Sequence, residues 1–371
     1  MGKVLLLLMC FLFGGNYLFS QTTWNGSVST DWNTAANWSA GVPTSTTNSA
    51  TIANVSRQPL ISVTGAAAKS VTVEIGAGLA IAKAGSLSIS GGTSTVGLNN
   101  AGSITNNGLI NINLTAASVF NALVNAGTFT NSVTGQVNID RSTNRAIDNY
   151  GTVFNNAGSM IIGGLASVGV HGLINQTVFN NNTGGMIKID NVTTNGVYNL
   201  GGTFTNSTCA SLNIVSNSIL NNTGTFNNAG YLIENASGNS SISSNTGTVQ
   251  NLNGGTFTIG SGNAAITLIG VLFTGCISTN WHSTGNWSTG IAPLSTEVVV
   301  IGNTPTQPSI NGTGAVAKSV TVSSGAVLTI AAAGGLSING STTQGILNNG
   351  TVNNNGTLTL GATSSVGSNG I

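Results

Sequence analysis

Short runs of alternating apolar and polar residues cover most of the chain. In SLSI (Ser86 to Ile89), QVNID (Gln136 to Asp140) and MIKID (Met186 to Asp190), apolar residues alternate with Ser, Asn and Lys. A period of two predicts short β-strands with one buried face, and the Asn and Gly pairs between the runs predict tight turns. Ala-rich pieces such as AAAK (Ala66 to Lys69) are short and lack capping Glu residues, so no helices are predicted.

A longer motif returns about every 24 residues. It reads apolar, x, Asn, x, Gly, Ser or Thr, apolar, x, Asn, and its lead asparagines are Asn100, Asn125, Asn149, Asn175, Asn199 and Asn222. Such a period is typical of a solenoid with one repeat per coil. Short strands and tight corners in each coil predict an all-β fold, a parallel β-helix. About seven or eight coils between Ser70 and Gly270, stacked ~4.8 Å apart, would form a rod on the order of 40 Å long. Asn above Asn in successive coils predicts a ladder of amide hydrogen bonds.

The chain also repeats itself at an offset of about 249 residues. DWNTAANWSAGVP (Asp31 to Pro43) matches NWHSTGNWSTGIAP (Asn280 to Pro293), and LNNAGSITNNGLINI (Leu98 to Ile112) matches LNNGTVNNNGTLTL (Leu347 to Leu360). Because the second copy stops early in the module, we expect the chain to be part of a longer array. The first predicted domains are a signal peptide at 1–20, a Trp-rich opening module at 21–60 and a β-solenoid at 61–270. The opening module recurs near residue 273, which gives a second Trp-rich opening module at 271–310 and the start of a second solenoid at 311–371.

The first twenty residues have the features of an export signal. Lys3 precedes the apolar run VLLLLMCFLF (Val4 to Phe13), and the small residue Ser20 stands before the expected cleavage point. The run is too short to span a bilayer, and no later stretch approaches the length of a membrane span. The mature chain is therefore predicted to be secreted, or held at the outer cell surface, without a membrane span.

Two cysteines, Cys209 and Cys276, remain after the expected cleavage. They lie far apart in the sequence and share no motif. We therefore interpret them as two small buried thiols rather than as a disulfide framework.

Charge is scarce. The chain has 8 Lys and Arg against 7 Asp and Glu, and charged residues make up 4% of it, where about 25% is usual. Because there is no basic surface to neutralise phosphates, nucleic acid is not an expected partner. Charges repeated one coil apart would repel, so stacked coils favour an almost uncharged sequence rich in Asn and Gly. His171 and His282 have no partner at ligand spacing, so no metal and no cofactor are predicted.

Six of the few charges gather within about fifty residues, and four of them, Asp140, Arg141, Lys188 and Asp190, are candidate catalytic residues. By the repeat register Asp140 and Asp190 lie two coils apart on one face, about 10 Å from each other. Carboxylates so placed serve as bases or calcium ligands in β-helix enzymes that cleave polysaccharides, and the separation lies near that of inverting glycosidases. Solvated charges on an exposed face are the simpler interpretation, and we assign no catalytic site.

All five tryptophans lie in the two opening modules. The open end of a β-helix exposes apolar core and unpaired strand edges, so a Trp-rich cap is the preferred interpretation. Exposed indole faces that stack on sugar rings are the alternative. The residues concerned are Trp24, Trp32, Trp38, Trp281 and Trp287.

The segments TWNGSVSTDWNTAANWSAGVP, AAAKSVTVEIGAGLAIAKAGSLSI and NNAGSITNNGLINI resemble the large secreted repeat proteins of Bacteroides-type bacteria, the cargo of type IX secretion. They are similar, more distantly, to the β-strand repeats of autotransporter passengers and haemagglutinin-like adhesins. The resemblance covers nearly all of the mature chain. It implies export, a right-handed parallel β-helix and a role at the cell surface in adhesion, matrix or gliding.

These observations together predict a secreted or cell-surface β-solenoid that is structural and adhesin-like, has no catalytic activity, and contacts glycans or extracellular matrix. Two alternatives remain. One is a β-helix polysaccharide lyase or glycoside hydrolase that uses the charges around Asp140 and Asp190. The other is a carbohydrate-binding module at Trp24 to Pro43.

Overall fold

The computed structural model describes residues 20–44, 48–91, 96–113, 121–216, 218–245, 248–251, 256–262, 270–304, 306–340 and 344–361. Residues 1–19 of the predicted signal peptide lie outside this part of the chain. Ser20, the last residue of that prediction, is the first residue of a strand.

The described residues form a parallel β-solenoid, as the repeat predicts. Each full coil gives one strand in turn to three sheets, A, B and C, and neighbouring strands within each sheet are parallel. Sheet A contains β1 (Ser20–Trp24), β2 (Asn48–Ile52), β5 (Ser70–Val73), β8 (Val96–Asn100), β11 (Asn121–Asn125), β14 (Arg145–Asn149), β17 (His171–Asn175), β20 (Asn195–Asn199) and β23 (Ile219–Asn222). Sheet B contains β3 (Leu60–Ile61), β6 (Gly78–Ile81), β9 (Ser103–Asn106), β12 (Thr128–Asn131), β15 (Val153–Asn156), β18 (Val178–Asn181), β21 (Thr203–Asn206), β24 (Thr225–Asn228), β26 (Asn239–Asn245) and β28 (Thr256–Gly262). Sheet C contains β4 (Ala66–Ala68), β7 (Ser86–Ile89), β10 (Leu109–Asn113), β13 (Gln136–Asp140), β16 (Ser159–Ile162), β19 (Met186–Ile189), β22 (Ser211–Ile214), β25 (Tyr231–Glu234) and β27 (Thr248–Asn251).

A second, shorter solenoid repeats this plan with sheets A′, B′ and C′ and has its own buried core. Sheet A′ contains β29 (Val271–Phe273), β30 (Val298–Ile301), β33 (Ser319–Val322) and β36 (Ile346–Asn348). Sheet B′ contains β31 (Ser309–Ile310), β34 (Val327–Ile330) and β37 (Thr351–Asn354), and sheet C′ contains β32 (Ala315–Ala317), β35 (Gly335–Ile338) and β38 (Thr357–Leu360). Each opening module also has one short 3₁₀ helix, at Ala35–Asn37 and Thr284–Asn286.

The strand pairing corrects the alignment of one pair of repeated segments by one residue. Leu98 pairs with Val71 in sheet A, whereas Ile346 pairs with Val320 in sheet A′. Ile346, not Leu347, therefore takes the place of Leu98, and with this change the two segments align without a gap.

A column of stacked phenylalanines fills the core behind sheet B. Neighbouring rings are 4.5 to 4.9 Å apart between centroids and within 14° of parallel. Each ring occupies the same inward position of its strand, because alternation along a strand sends every second side chain to the core. The five fully buried members are Phe129, Phe154, Phe179, Phe204 and Phe226.

Two asparagine ladders, buried except at Asn222, run beside this column, and the first is the predicted one. It links the six lead asparagines, each amide nitrogen Nδ2 donating to the Oδ1 of the next at 2.7 to 2.8 Å. The second has the same geometry at the end of the sheet B strands. Its members are Asn106, Asn131, Asn156, Asn181, Asn206, Asn228 and Asn245. In both ladders every link points from one coil to the following coil.

The interpretation of the two mature cysteines as separate thiols is wrong. Cys209 and Cys276 form a disulfide, with their Cα atoms 5.4 Å apart although 67 positions separate them. Cys209 lies in the turn between β21 and β22 with a φ of 62°, a backbone conformation that glycine usually supplies. The bond forms because the second opening module folds back and packs against the flank of the first solenoid, a tertiary contact that the repeat pattern does not contain.

Other contacts hold the second opening module in the same place. The Ser211 hydroxyl donates to the carbonyl of Ser288 at 2.8 Å. Gly290 lies against the Met186 side chain and has a φ of 74°, a left-handed backbone conformation that favours glycine. Burial raises the pKa of Tyr231, another residue at this junction, above its usual value.

Candidate functional site

A groove runs along the outer face of sheet C, parallel to the solenoid axis. Its floor is a column of outward side chains, one from each coil, whose strands pair in register. Alternation explains the column, because the residues on either side of each member point into the core. Its six members are Ser88, Asn111, Asn138, Ile161, Lys188 and Asn213.

The loop at residues 163–168 forms one wall of the groove. Eight residues separate β16 from β17, whereas five separate Ile189 from β20 one coil later. Asp140 holds this longer loop, since its Oδ1 accepts hydrogen bonds from the backbone N–H groups of Leu165 at 2.9 Å and Ala166 at 3.1 Å. The Leu165 side chain is left 85% exposed at the rim.

The second opening module contributes another wall. A cavity of about 620 Å³ between Ser88 and Lys188 adjoins one of about 180 Å³ lined by Thr289, Gly290 and Ile291 of that module. The two cavities share Ile161 and Lys188. The groove is therefore built from both modules and depends on their packing.

The four candidate charges of the sequence analysis divide between the groove and its surroundings. Asp140 and Lys188 line the groove, and Asp190 lies 3.7 Å from the Lys188 ammonium. Gly163 occupies the intervening coil at the register of the two aspartates, as the spacing predicts. Arg141 lies on an exposed turn with a φ of 63° and is not part of the lining.

Asp140 is only 5% exposed, and one of its oxygens already accepts two backbone hydrogen bonds. A carboxylate so engaged positions the loop. Asp190 in turn accepts from the N–H of Asn191 at 2.9 Å and faces Lys188.

The five tryptophans are buried, with at most 4% of each side chain exposed. In the first module the Trp38 ring packs edge-on against Trp24 and Trp32, with centroids 5.1 and 4.7 Å apart. Trp38 Nε1 donates to the carbonyl of Trp32 at 2.8 Å, and Trp287 repeats this bond to Trp281 at 2.7 Å. The rings therefore present no open face on which a sugar could stack.

Sheet A carries a second polar cluster that the sequence analysis did not identify. Arg145 pairs with Asp148 at 2.5 Å, and His171 contacts the Asn195 amide at 3.1 Å. Tyr198 lies beside the imidazole, with ring centroids 5.8 Å apart. Burial, and to a smaller extent the Arg145 charge, lower the pKa of His171 below its usual value.

Neither histidine belongs to a metal site within the described residues, where no three His, Cys, Asp or Glu side chains group as ligands. Over the same part of the chain, no helix has the length and apolar character needed to cross a membrane.

One signal in the sequence does point to the groove. The spacing from Asn149 to Asn175 is 26 residues, against 24 on either side, and this coil carries the longer loop. The wall from the second module has no such signal, because it depends on how the modules pack.

Comparison with known proteins gives one match. A family model described as a domain of unknown function (DUF8693) matches residues 23–150 and 272–369, about three fifths of the chain. The two matched segments begin 249 residues apart, which is the offset of the internal repeat. No curated protein and no solved structure matches this chain.

Proposed function

The chain belongs to the family described as a domain of unknown function (DUF8693), and we propose that it is a rigid, non-catalytic segment of a secreted or cell-surface protein with an adhesin-like role. In this proposal the solenoid holds binding surfaces away from the cell, where they contact glycans or extracellular matrix.

The observation that carries the proposal is the pair of continuous asparagine ladders. Each interior amide is buried and is bonded to the coil before it and the coil after it. Bending the solenoid or slipping one coil would leave several buried amides without partners, each at a cost of about 1–3 kcal/mol. A fold with this internal network suits a stiff spacer.

The disulfide supports export. Bonds of this kind persist in secreted and periplasmic proteins and are rare where thiols are kept reduced. Cys209 and Cys276 also tie the two modules to each other, so the arrangement of the modules is fixed covalently.

The proposal is tested by expressing the full chain in a bacterial host and fractionating the cells. We expect the mature chain outside the cytoplasm, beginning at Gln21 and carrying the Cys209–Cys276 bond. Beads coated with this protein should adhere to surfaces bearing glycans or matrix more strongly than uncoated beads. A cytoplasmic chain with an intact leader and free thiols, or beads that do not adhere, would contradict the proposal.

A β-helix lyase or hydrolase is the second candidate, and the placement of Asp140 and Lys188 in one groove favours it. A panel of acidic and neutral polysaccharides, assayed with the wild type and with Asp190→Asn, tests it. Measurable cleavage that the substitution abolishes would replace the structural role with an enzymatic one. The buried indole rings give no support to a separate carbohydrate-binding module at Trp24 to Pro43.

A further inference from the structure

We infer that the sheet C groove, from Ser88 to Asn213, binds a neutral, extended glycan chain in a site completed by the second opening module. The inference rests on the proposed function, of which it names the ligand class and the site.

The floor of the groove presents hydroxyl and amide groups in a straight line, one per coil. Coils repeat every ~4.8 Å, so six of them span about 24 Å. This repeat is close to the length of one sugar ring in an extended chain. The Asn138 amide donates to Asn111 at 2.9 Å, which orients both side chains along the groove.

Apolar side chains interrupt the polar line near the middle of the column. Ile161 is 36% exposed on the floor, and Leu165 is 85% exposed on the rim. Sugar rings have both hydroxyl edges and apolar C–H faces, and ligand sites pair an apolar surface with a few polar groups that fix orientation. The column supplies both kinds of contact.

Charge selects a neutral ligand. The Lys188 ammonium lies 3.7 Å from Asp190, and the Asp140 carboxylate lies in the same groove. Two carboxylates offset one cation, so a polyuronate or sulfated chain would find no net positive charge to attract it.

A peptide fits less well than a glycan. Extended peptides bind sheets by adding a strand to an open edge, where free backbone groups form the hydrogen bonds. The strands under the groove are paired on both sides from β7 to β22, and the groove lies on the sheet face. No backbone edge is available there for strand addition.

The site needs the packed arrangement of the two modules. Thr289, Gly290 and Ile291 close the smaller cavity beside Ile161 and Lys188. The disulfide holds this wall in place, so breaking it should weaken binding without unfolding the solenoid.

The test uses calorimetric titration of the disulfide-bonded full chain with neutral hexasaccharides of glucose, mannose and xylose in β-1,4 and β-1,3 linkage, and with an oligogalacturonate. We expect at least one neutral ligand to bind and the oligogalacturonate to bind more weakly. Ile161→Asp should reduce the affinity for the neutral ligand about tenfold or more, because it places a hydrated charge on the apolar floor. Val178→Asp is the matched control, since Val178 is 37% exposed on β18 of the following coil but lies in sheet B, outside the groove.

A second variant replaces each cysteine by the residue at the equivalent position elsewhere in the chain, Cys209→Gly as at Gly184 and Cys276→Ser as at Ser27. It should lose affinity while keeping the circular dichroism of the wild type. Equal binding by the Ile161→Asp and Val178→Asp variants, tighter binding of the oligogalacturonate, or no binding of any neutral chain would each overturn the inference. None of these results alters the export and bead-adhesion results that test the proposed function.

Discussion

Removing one amide from the middle of the second ladder should destabilise the coil that follows the substitution more than the coil that precedes it. Asn156 is fully buried, accepts from Asn131 Nδ2 at 2.8 Å and donates to Asn181 Oδ1 at 2.8 Å. In Asn156→Ala the Asn131 amide still donates to the carbonyls of Ser159 and Gly135. Asn181 Oδ1 loses the donor that it accepts from in the ladder.

The expected loss of stability follows from what happens to the two neighbouring asparagines, Asn131 and Asn181. An orphaned buried acceptor costs about 1–3 kcal/mol and a lost buried hydrogen bond about 1 kcal/mol, so Asn156→Ala should lose about 2–4 kcal/mol of local stability. The loss should be larger in the coil of β18, which contains Asn181, than in the coil of β12, which contains Asn131.

Hydrogen exchange followed by mass spectrometry measures this coil by coil, which suits a repeat array because such arrays can unfold in stages. Asn155→Ala is the matched control. Asn155 is the preceding residue on β15, points outward, and accepts one hydrogen bond from Asn180 at 3.0 Å. Its loss should cost under about 1 kcal/mol. Equal protection losses in the two variants, or a symmetric loss on both sides of Asn156, would refute the ladder argument.

Three further changes have outcomes that the structure sets. Phe179→Ala should cost about 3–5 kcal/mol in urea denaturation, because it opens a cavity in the phenylalanine column, and a cost below about 1 kcal/mol would contradict the stacking. Reducing the Cys209–Cys276 bond, which closes a loop of 67 positions, should lower stability by up to about 4 kcal/mol and raise hydrogen exchange at residues 270–291, while unchanged exchange there would show that packing alone holds the module. Burial and then Arg145 lower the pKa of His171, so the unfolded chain binds this proton more tightly and stability should fall as the pH drops through about 6.5. Arg145→Gln should raise that pKa in an NMR titration, and an unchanged titration would exclude the charge as a cause.

Most of the fold is readable from the sequence because a solenoid is a local, repeating structure. Each lead asparagine, such as Asn125, occupies the same turn position in its coil, so the spacing alone predicts which side chains stack. The burial of Trp38 and its neighbours follows similarly from the need to close an open end of the coil stack.

The candidate site is only partly readable. The register of Asp140 and Asp190 was predicted correctly because it depends on coil spacing alone. The role of Asp140 in holding the 163–168 loop was not, since a hydrogen bond to Leu165 depends on the path of an inserted loop. The disulfide was missed for a related reason. Cys209 and Cys276 meet only when one module folds back on the other, and no periodic pattern records that contact.

The disulfide also determines how the chain would carry mechanical load. If tension is applied along the array, the force enters the first solenoid, crosses the Cys209–Cys276 bond and continues into the second module. The segment between the two cysteines lies outside this path. It contains β22 to β28, the last strands of the first solenoid, and β29, the first strand of sheet A′. Those coils are relieved of tension while the bond is intact, and reduction would release a slack segment of up to about 230 Å. The disulfide therefore lets the force bypass the end of the first solenoid, so those strands are not pulled apart while the bond is intact.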